Sequence, residues 1–175
     1  MNEANGHTWT SASPAATTAS GQRLGTLLTA GDVVALDGPL GAGKTQFVRG
    51  LAAGMGLDPG DVSSPTFVMM QEYEPDTDTA DGTCPLFHLD AYRIGGPDDL
   101  ASLGFDADLR ATGVSVVEWA ARLEAMPDAL GPDVIQLVFA HAPDDTRSIS
   151  LNARGRWAAP PRFQTLLTTL CEPRP

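Results

Sequence analysis

At 175 residues the chain is long enough for one domain with a full core and too short for two of ordinary size. Its formal net charge of -11, with one lysine and ten scattered arginines, argues against direct wrapping of nucleic acid, which needs a clustered excess of cations. No apolar run approaches the roughly 20 residues that cross a bilayer, and the start MNEANGHTWTSASPAATT lacks the basic and apolar regions of a secretory signal, so a cytoplasmic location with no membrane association is expected. Cys84 and Cys171 belong to no CxxC or Cys/His cluster and read as reduced thiols, with neither a disulfide framework nor a zinc site.

In chain order, residues 1–6 read as a loose tail and 7–175 as one domain. Residues 7–11 alternate as a short edge strand. Ser13-Pro14 then supplies an N-cap and first helical residue for a weakly amphipathic helix that carries Leu24, Leu27 and Leu28 on one face and ends at Gly31. Residues 33–37 form a buried strand, a glycine-rich loop follows, and residues 45–55 place Phe47, Val48, Leu51 and Ala52 at helical spacing. Residues 66–73 have β character, 75–85 read as a polar connector or hairpin tip, and 86–89 form the next strand. Short helices are expected over 97–103 and 106–111, a strand over 114–117, two paired strands over 133–141 and 147–153, and a closing helix over 163–170. This alternation predicts an α/β fold with a parallel sheet centre and antiparallel edge additions.

The stretch GPLGAGKT, from Gly38 to Thr45, fits GxxxxGK[ST] and has the strand before it and the helix after it that a phosphate-binding loop requires. Gly38, Gly41 and Gly43, with Ala42 between, allow backbone angles that turn amide N–H groups inward at the positive end of the following helix. Lys44 reaches the β and γ phosphates as a compact charge that a guanidinium fork would not replace, and the Thr45 hydroxyl is placed for Mg²⁺. A phosphate clamp also needs an acid at the end of a neighbouring strand, and LFHLD and VSVVE supply two, Asp90 and Glu118. His88, two residues before Asp90, reads either as support for the metal site or, more simply, as a core histidine. SSPTF, residues 63–67, reads as a turn with a cap or as a γ-phosphate switch. There is no NKxD-like guanine motif and no arginine-rich lid, Arg93, Arg110 and Arg122 being dispersed.

GPLGAGKTQFVRGLA, SSPTF, HLDAYRI, the LGF of residues 103–105 and VVEWAARL together resemble the TsaE family, the ATPases of bacterial tRNA threonylcarbamoyladenosine biosynthesis, over about residues 17–153. The resemblance implies a P-loop NTPase-type three-layer sandwich with a mostly parallel central sheet between helices. It implies ATP and Mg²⁺ as cofactors, and as partners the TsaD- and TsaB-type proteins of the threonylcarbamoyl-transferase complex, with tRNA met only indirectly. By motif position Lys44 is a phosphate ligand, Thr45 a Mg²⁺ ligand, Thr66 the switch threonine, Asp90 the Walker-B-type acid, and Glu118 a metal ligand or water-orienting base. Trp119 is expected near the nucleotide, and Gln46, where the family usually has a second threonine, near the α phosphate. Pro39, often Asp in relatives, is expected to face solvent. The activity so implied is that of a slow Mg²⁺-dependent ATPase that resets the modifying complex between turnovers; a small-molecule kinase and a non-hydrolysing ATP-binding module are the alternatives.

Overall fold

The computed structural model describes residues 6–65, 67–76, 83–126 and 128–171. Most of the expected tail, the switch candidate Thr66 and the middle of the 75–85 connector lie outside these residues. Seven strands form one sheet: β1 (His7–Ser11), β2 (Val33–Asp37), β3 (Met70–Tyr73), β4 (Leu86–Asp90), β5 (Val114–Glu118), β6 (Val134–His141) and β7 (Arg147–Arg154). Their order is β1-β7-β6-β2-β5-β4-β3. β6, β2, β5 and β4 are mutually parallel, while β7, β1 and β3 join antiparallel at the two flanks. Every residue of β2, β4 and β5 is buried, as strands covered on both faces require.

One face carries α1 (Pro14–Gly25), α2 (Lys44–Gly54) and α5 (Pro160–Cys171), whose Leu24, Phe47, Leu51, Leu166 and Leu170 pack on Val34, Leu36, Ile135 and Leu137. Over the other face, α3 (Pro97–Ser102), α4 (Ala107–Thr112) and a 3₁₀ turn at Ala120–Leu123 enclose a second cluster around Val33, Ala35, Leu89 and Val117. Three layers result, as expected. Glycines set the spacing of α1 and α2: a Cβ at Gly50 would lie 1.9 Å from the Thr18 carbonyl oxygen, and one at Gly21 would lie 2.1 Å from that of Phe47. The backbones of the two helices are in direct contact, and this fixes where the N-terminus of α2 points.

Three boundaries differ from the sequence reading by more than one residue. Ser13 caps α1 as expected, its hydroxyl accepting from the Ala16 amide at 3.1 Å, but the helix stops at Gly25 rather than Gly31. Beyond it the Asp32 carboxylate accepts from the Thr29 amide at 2.8 Å and closes a turn that competes with further helix, while Leu27 and Leu28 still pack on the core. Of the strand expected over 66–73, the described residues 67–69 form a turn and Met70–Tyr73 a strand, because the Pro65 carbonyl accepts from the amides of Val68 (3.1 Å) and Met69 (2.7 Å). That turn outweighs β propensity and leaves Phe67 90% exposed. α5 begins at Pro160, not Phe163: prolines at the start of a helix lack only an N–H that has no partner there.

Candidate functional site at the carboxyl edge of the sheet

The parallel strands β2, β5 and β4 end side by side, and each ends in an acid: Asp37, Glu118 and Asp90. The loop from Gly38 to Gly43 rises from β2 and feeds α2. Gly38 has φ 131°, and a Cβ there would meet the Phe139 carbonyl oxygen at 2.3 Å; Gly43, at φ 103°, leads into the helix at Lys44. Both positions demand glycine, Gly43 because left-handed backbone opens the loop into the helix and Gly38 because β6 presses on it as well. Leu40, Gly41, Gly43, Lys44, Thr45, Gln46, Ser64, Asp90, Glu118 and Trp119 line a cleft of about 230 Å³ above this edge. Eight of the expected site residues are thus brought to one opening. Gly38 and Ala42 lie in the loop behind it, and Thr66 follows Ser64 and Pro65 outside the described residues.

Lys44 is buried. Its Nζ donates to the carbonyls of Gly38 (2.7 Å) and Pro39 (3.1 Å), and it sits 4.1 Å from the centre of the Trp119 ring. Burial pulls its pKa below the ordinary lysine value, while the charges of Glu118, Asp90 and Asp37 act in the opposite direction. Trp119 holds its place over the ammonium at φ 60°, a left-handed conformation that costs a bulky residue of order 1–3 kcal/mol. Its ring also packs on Tyr92, with centroids 5.2 Å apart. Pro39 is exposed, as expected, although its carbonyl serves the lysine. Gln46 is half-buried, and its Oε1 accepts from Arg49 at 3.2 Å.

Glu118 and Asp90 are register partners across β4 and β5. A single oxygen, Oε1 of Glu118, meets both the Thr45 hydroxyl at 2.9 Å and His88 Nε2 at 3.0 Å. Burial works to raise the Glu118 pKa, but the hydrogen bonds from His88 and Thr45 and the charge of Lys44 prevail and hold it below the usual carboxylate value. His88 is completely buried, and its Nδ1 has no hydrogen-bond partner. The simpler sequence reading of His88 as a core histidine therefore misses half of its role: alternation along β4 puts it on the face of Asp90, where it grips the neighbouring acid. Asp90 Oδ1 accepts from the Tyr92 amide at 2.9 Å, and the Asp90 amide donates to the Met69 carbonyl at 2.8 Å, so the segment after Pro65 is tied directly to this acid. Asp37 was not among the expected site residues, although VVALD closes its strand just as HLD and VVE close theirs. It accepts from the Ala121 amide at 2.8 Å, holding the start of the 3₁₀ turn that follows Glu118 and Trp119.

These donors are hard oxygens: one hydroxyl and two carboxylates within one cleft. Among the described residues no group of three or more His, Cys, Asp or Glu forms a ready-made metal cage. Mg²⁺ asks for none, since it typically takes one or two protein carboxylates and fills its shell with phosphate oxygens and water.

A GxxxxGKT loop between a buried parallel strand and a helix, with acids at adjacent strand ends, is the arrangement of a P-loop-type α/β fold. The family model of the threonylcarbamoyl adenosine biosynthesis protein TsaE matches residues 11–149, and the chain belongs to that family. The chain is 38% identical over 147 residues to the tRNA threonylcarbamoyladenosine biosynthesis protein TsaE of Bacillus subtilis, covering 84% of this chain and 85% of that one. It is 42% identical to the protein of that name in Streptomyces coelicolor, covering 79% and 91%. The crystal structure of YdiB from Bacillus subtilis superposes with a TM-score of 0.67 at 30% identity, covering 97% of both chains.

Proposed function

We propose that this protein is an ATP-binding and ATP-hydrolysing component of tRNA threonylcarbamoyladenosine biosynthesis, acting beside the TsaD- and TsaB-type proteins that transfer the threonylcarbamoyl group. The observation that carries this reading is the convergence of Lys44, Thr45, Asp90 and Glu118 in one cleft at the mouth of the glycine loop. Membership of the TsaE family supplies the pathway.

In this reading the loop amides and Lys44 hold the β and γ phosphates. Lys44 leaves the Gly38 and Pro39 carbonyls to do so, and Trp119 keeps the ammonium at the loop. Thr45 and Asp90 would hold Mg²⁺, which supplies charge neutralisation at the phosphates when bound. Glu118, fixed through Oε1 by Thr45 and His88, presents its second oxygen to a water or to the metal shell. Thr66 is assigned by motif position to sensing the γ phosphate. Its neighbours support that role, because Ser64 lines the cleft and the Met69 carbonyl binds the Asp90 amide, so a change at the phosphate end can be passed to the exposed Phe67 and Val68. No described helix is long and apolar enough to cross a membrane. The test is phosphate release from Mg²⁺–ATP by the purified protein, repeated with Lys44→Ala. Release that depends on Lys44 supports the reading, and release unaffected by its loss overturns it.

A further inference from the structure

The two sides of the glycine loop are unlike. β5 and β4, with Glu118 and Asp90, lie on one side of β2, and β6 and β7 on the other. If Thr45 and the neighbouring acids hold the divalent cation of a nucleotide, as proposed above, the γ end of that nucleotide lies on their side of the loop. The α phosphate and the nucleoside are then directed across β2 toward the β6–β7 hairpin.

At the hairpin's turn end, beyond the carboxyl edge of β2, His141 and Arg147 are register partners. They have the same parity as Phe139 and Ile149, which belong to the core beneath α2, so both stand on the helix side of the sheet, just beyond that core. Both reach the loop. His141 Nε2 lies 3.3 Å from the Leu40 carbonyl, and Arg147 Nε would be 3.8 Å from a Cβ on Gly43, beside Thr17 Cγ2 at 3.6 Å. The Thr17 hydroxyl is engaged with Ser11 at 2.8 Å and serves as wall. Arg147 is half-buried, makes no ion pair among the described residues, and has its guanidinium anchored through Nη1 to the Asp145 carbonyl. A planar cation held at one edge, with no carboxylate to neutralise it, offers a flat face to a nucleobase.

We propose that His141 and Arg147 form the nucleoside subsite of this cleft, with a purine base stacked on the Arg147 guanidinium and His141 at its rim. The inference rests on the ATP-binding reading above. Stacking on a guanidinium is tolerant of base identity, so the subsite adds affinity for ATP and GTP alike, in keeping with the absence of an NKxD-like motif.

The experiment is titration calorimetry in Mg²⁺ of the wild-type chain, Arg147→Ala and Arg147→Lys against ATP, GTP and inorganic tripolyphosphate, with thermal unfolding recorded for each variant. Tripolyphosphate carries the charge of the nucleotide tail and no base. The expected result is a loss of roughly 10- to 100-fold in affinity for both nucleotides in both variants, with tripolyphosphate affinity kept within about twofold. Lysine fails with alanine because it keeps the charge and loses the plane. Unchanged ATP affinity, an equal loss for ATP and tripolyphosphate, or full rescue by lysine would each overturn the subsite, the last two by making Arg147 a phosphate ligand. A wild-type protein that binds neither ATP nor tripolyphosphate would instead remove the phosphate-loop reading and the subsite with it.

Discussion

Replacing His88 with leucine, which is similar in volume, removes one of two hydrogen bonds to Glu118 Oε1 while leaving the core filled. The lost bond is 3.0 Å long and ends on a carboxylate only 4% exposed, so little solvent screening discounts it. A hydrogen bond to a charged group in such a place contributes about 1.5–3 kcal/mol. Burial alone pushes the Glu118 pKa up; His88 is the chief group pulling it down, followed by Thr45 and Lys44. A carboxylate with a depressed pKa adds stability that is complete above its unfolded value and is lost as pH falls through the folded one. His88→Leu therefore shrinks that contribution, and the remaining acid loss sets in at higher pH than in the wild type. Urea unfolding from pH 7 to pH 4 measures this directly, and a double-mutant cycle with Glu118→Gln isolates the pair, with an expected coupling of about 0.5–3 kcal/mol. In the same variant ATP affinity holds, because Lys44 and the loop amides are untouched, while phosphate release falls as Glu118 loses its fixed orientation, and His88→Gln restores part of it. A His88→Leu protein with wild-type stability at every pH, zero coupling and unaltered turnover would refute the reasoning.

Lys44→Ala is expected to weaken ATP binding by about one to two decades, the equivalent of a charge-assisted contact of roughly 1.5–3 kcal/mol, with the fold intact by circular dichroism. Asp90→Asn is expected to raise the Mg²⁺ concentration needed for half-maximal phosphate release, whereas Glu118→Gln lowers the maximal rate more than the affinity; a Mg²⁺ titration of each separates the two roles. Gly50→Ala places a methyl group where the Thr18 carbonyl already lies 1.9 Å away, so α1 and α2 must part. It is expected to cost about 1–3 kcal/mol in urea unfolding or more, far beyond the usual effect of alanine in a helix, which is favourable.

The glycine-rich loop was legible because its pattern is local. GxxxxGKT needs consecutive residues, and a buried strand before it and an amphipathic helix after it are equally local patterns. Asp90 and Glu118 could be named for a similar reason: apolar runs that end in an acid place that acid at a sheet edge. What the sequence hid is lateral. That His88 and Thr45 share one oxygen of Glu118 depends on the register of β4 against β5 and on the depth of α2, neither of which is written in any one segment. Arg147 lies over a hundred residues from the loop it approaches, and only the strand order brings the two together. The glycines of α1 and α2 read as weak helix positions one helix at a time, and as a contact surface only when the pair is seen. Residues 67–69 differ for another reason: their β-favouring side chains are outweighed by a turn on the Pro65 carbonyl.

ATP hydrolysis in service of a tRNA-modifying complex is the activity we propose for this chain. It is tested most directly by steady-state phosphate release in three mixtures: the protein alone, with TsaD- and TsaB-type partners, and with those partners plus tRNA, each repeated with Thr66→Ala. The cleft gathers Lys44, Thr45, Asp90 and Glu118, and an activating group supplied in trans can add about 10³- to 10⁵-fold in related nucleotide switches. Slow release alone, a marked rise with the partners, loss of that rise in Thr66→Ala, and no phosphorylated small molecule are expected. Equal rates in all three mixtures, or stoichiometric appearance of a phosphorylated product, would contradict it.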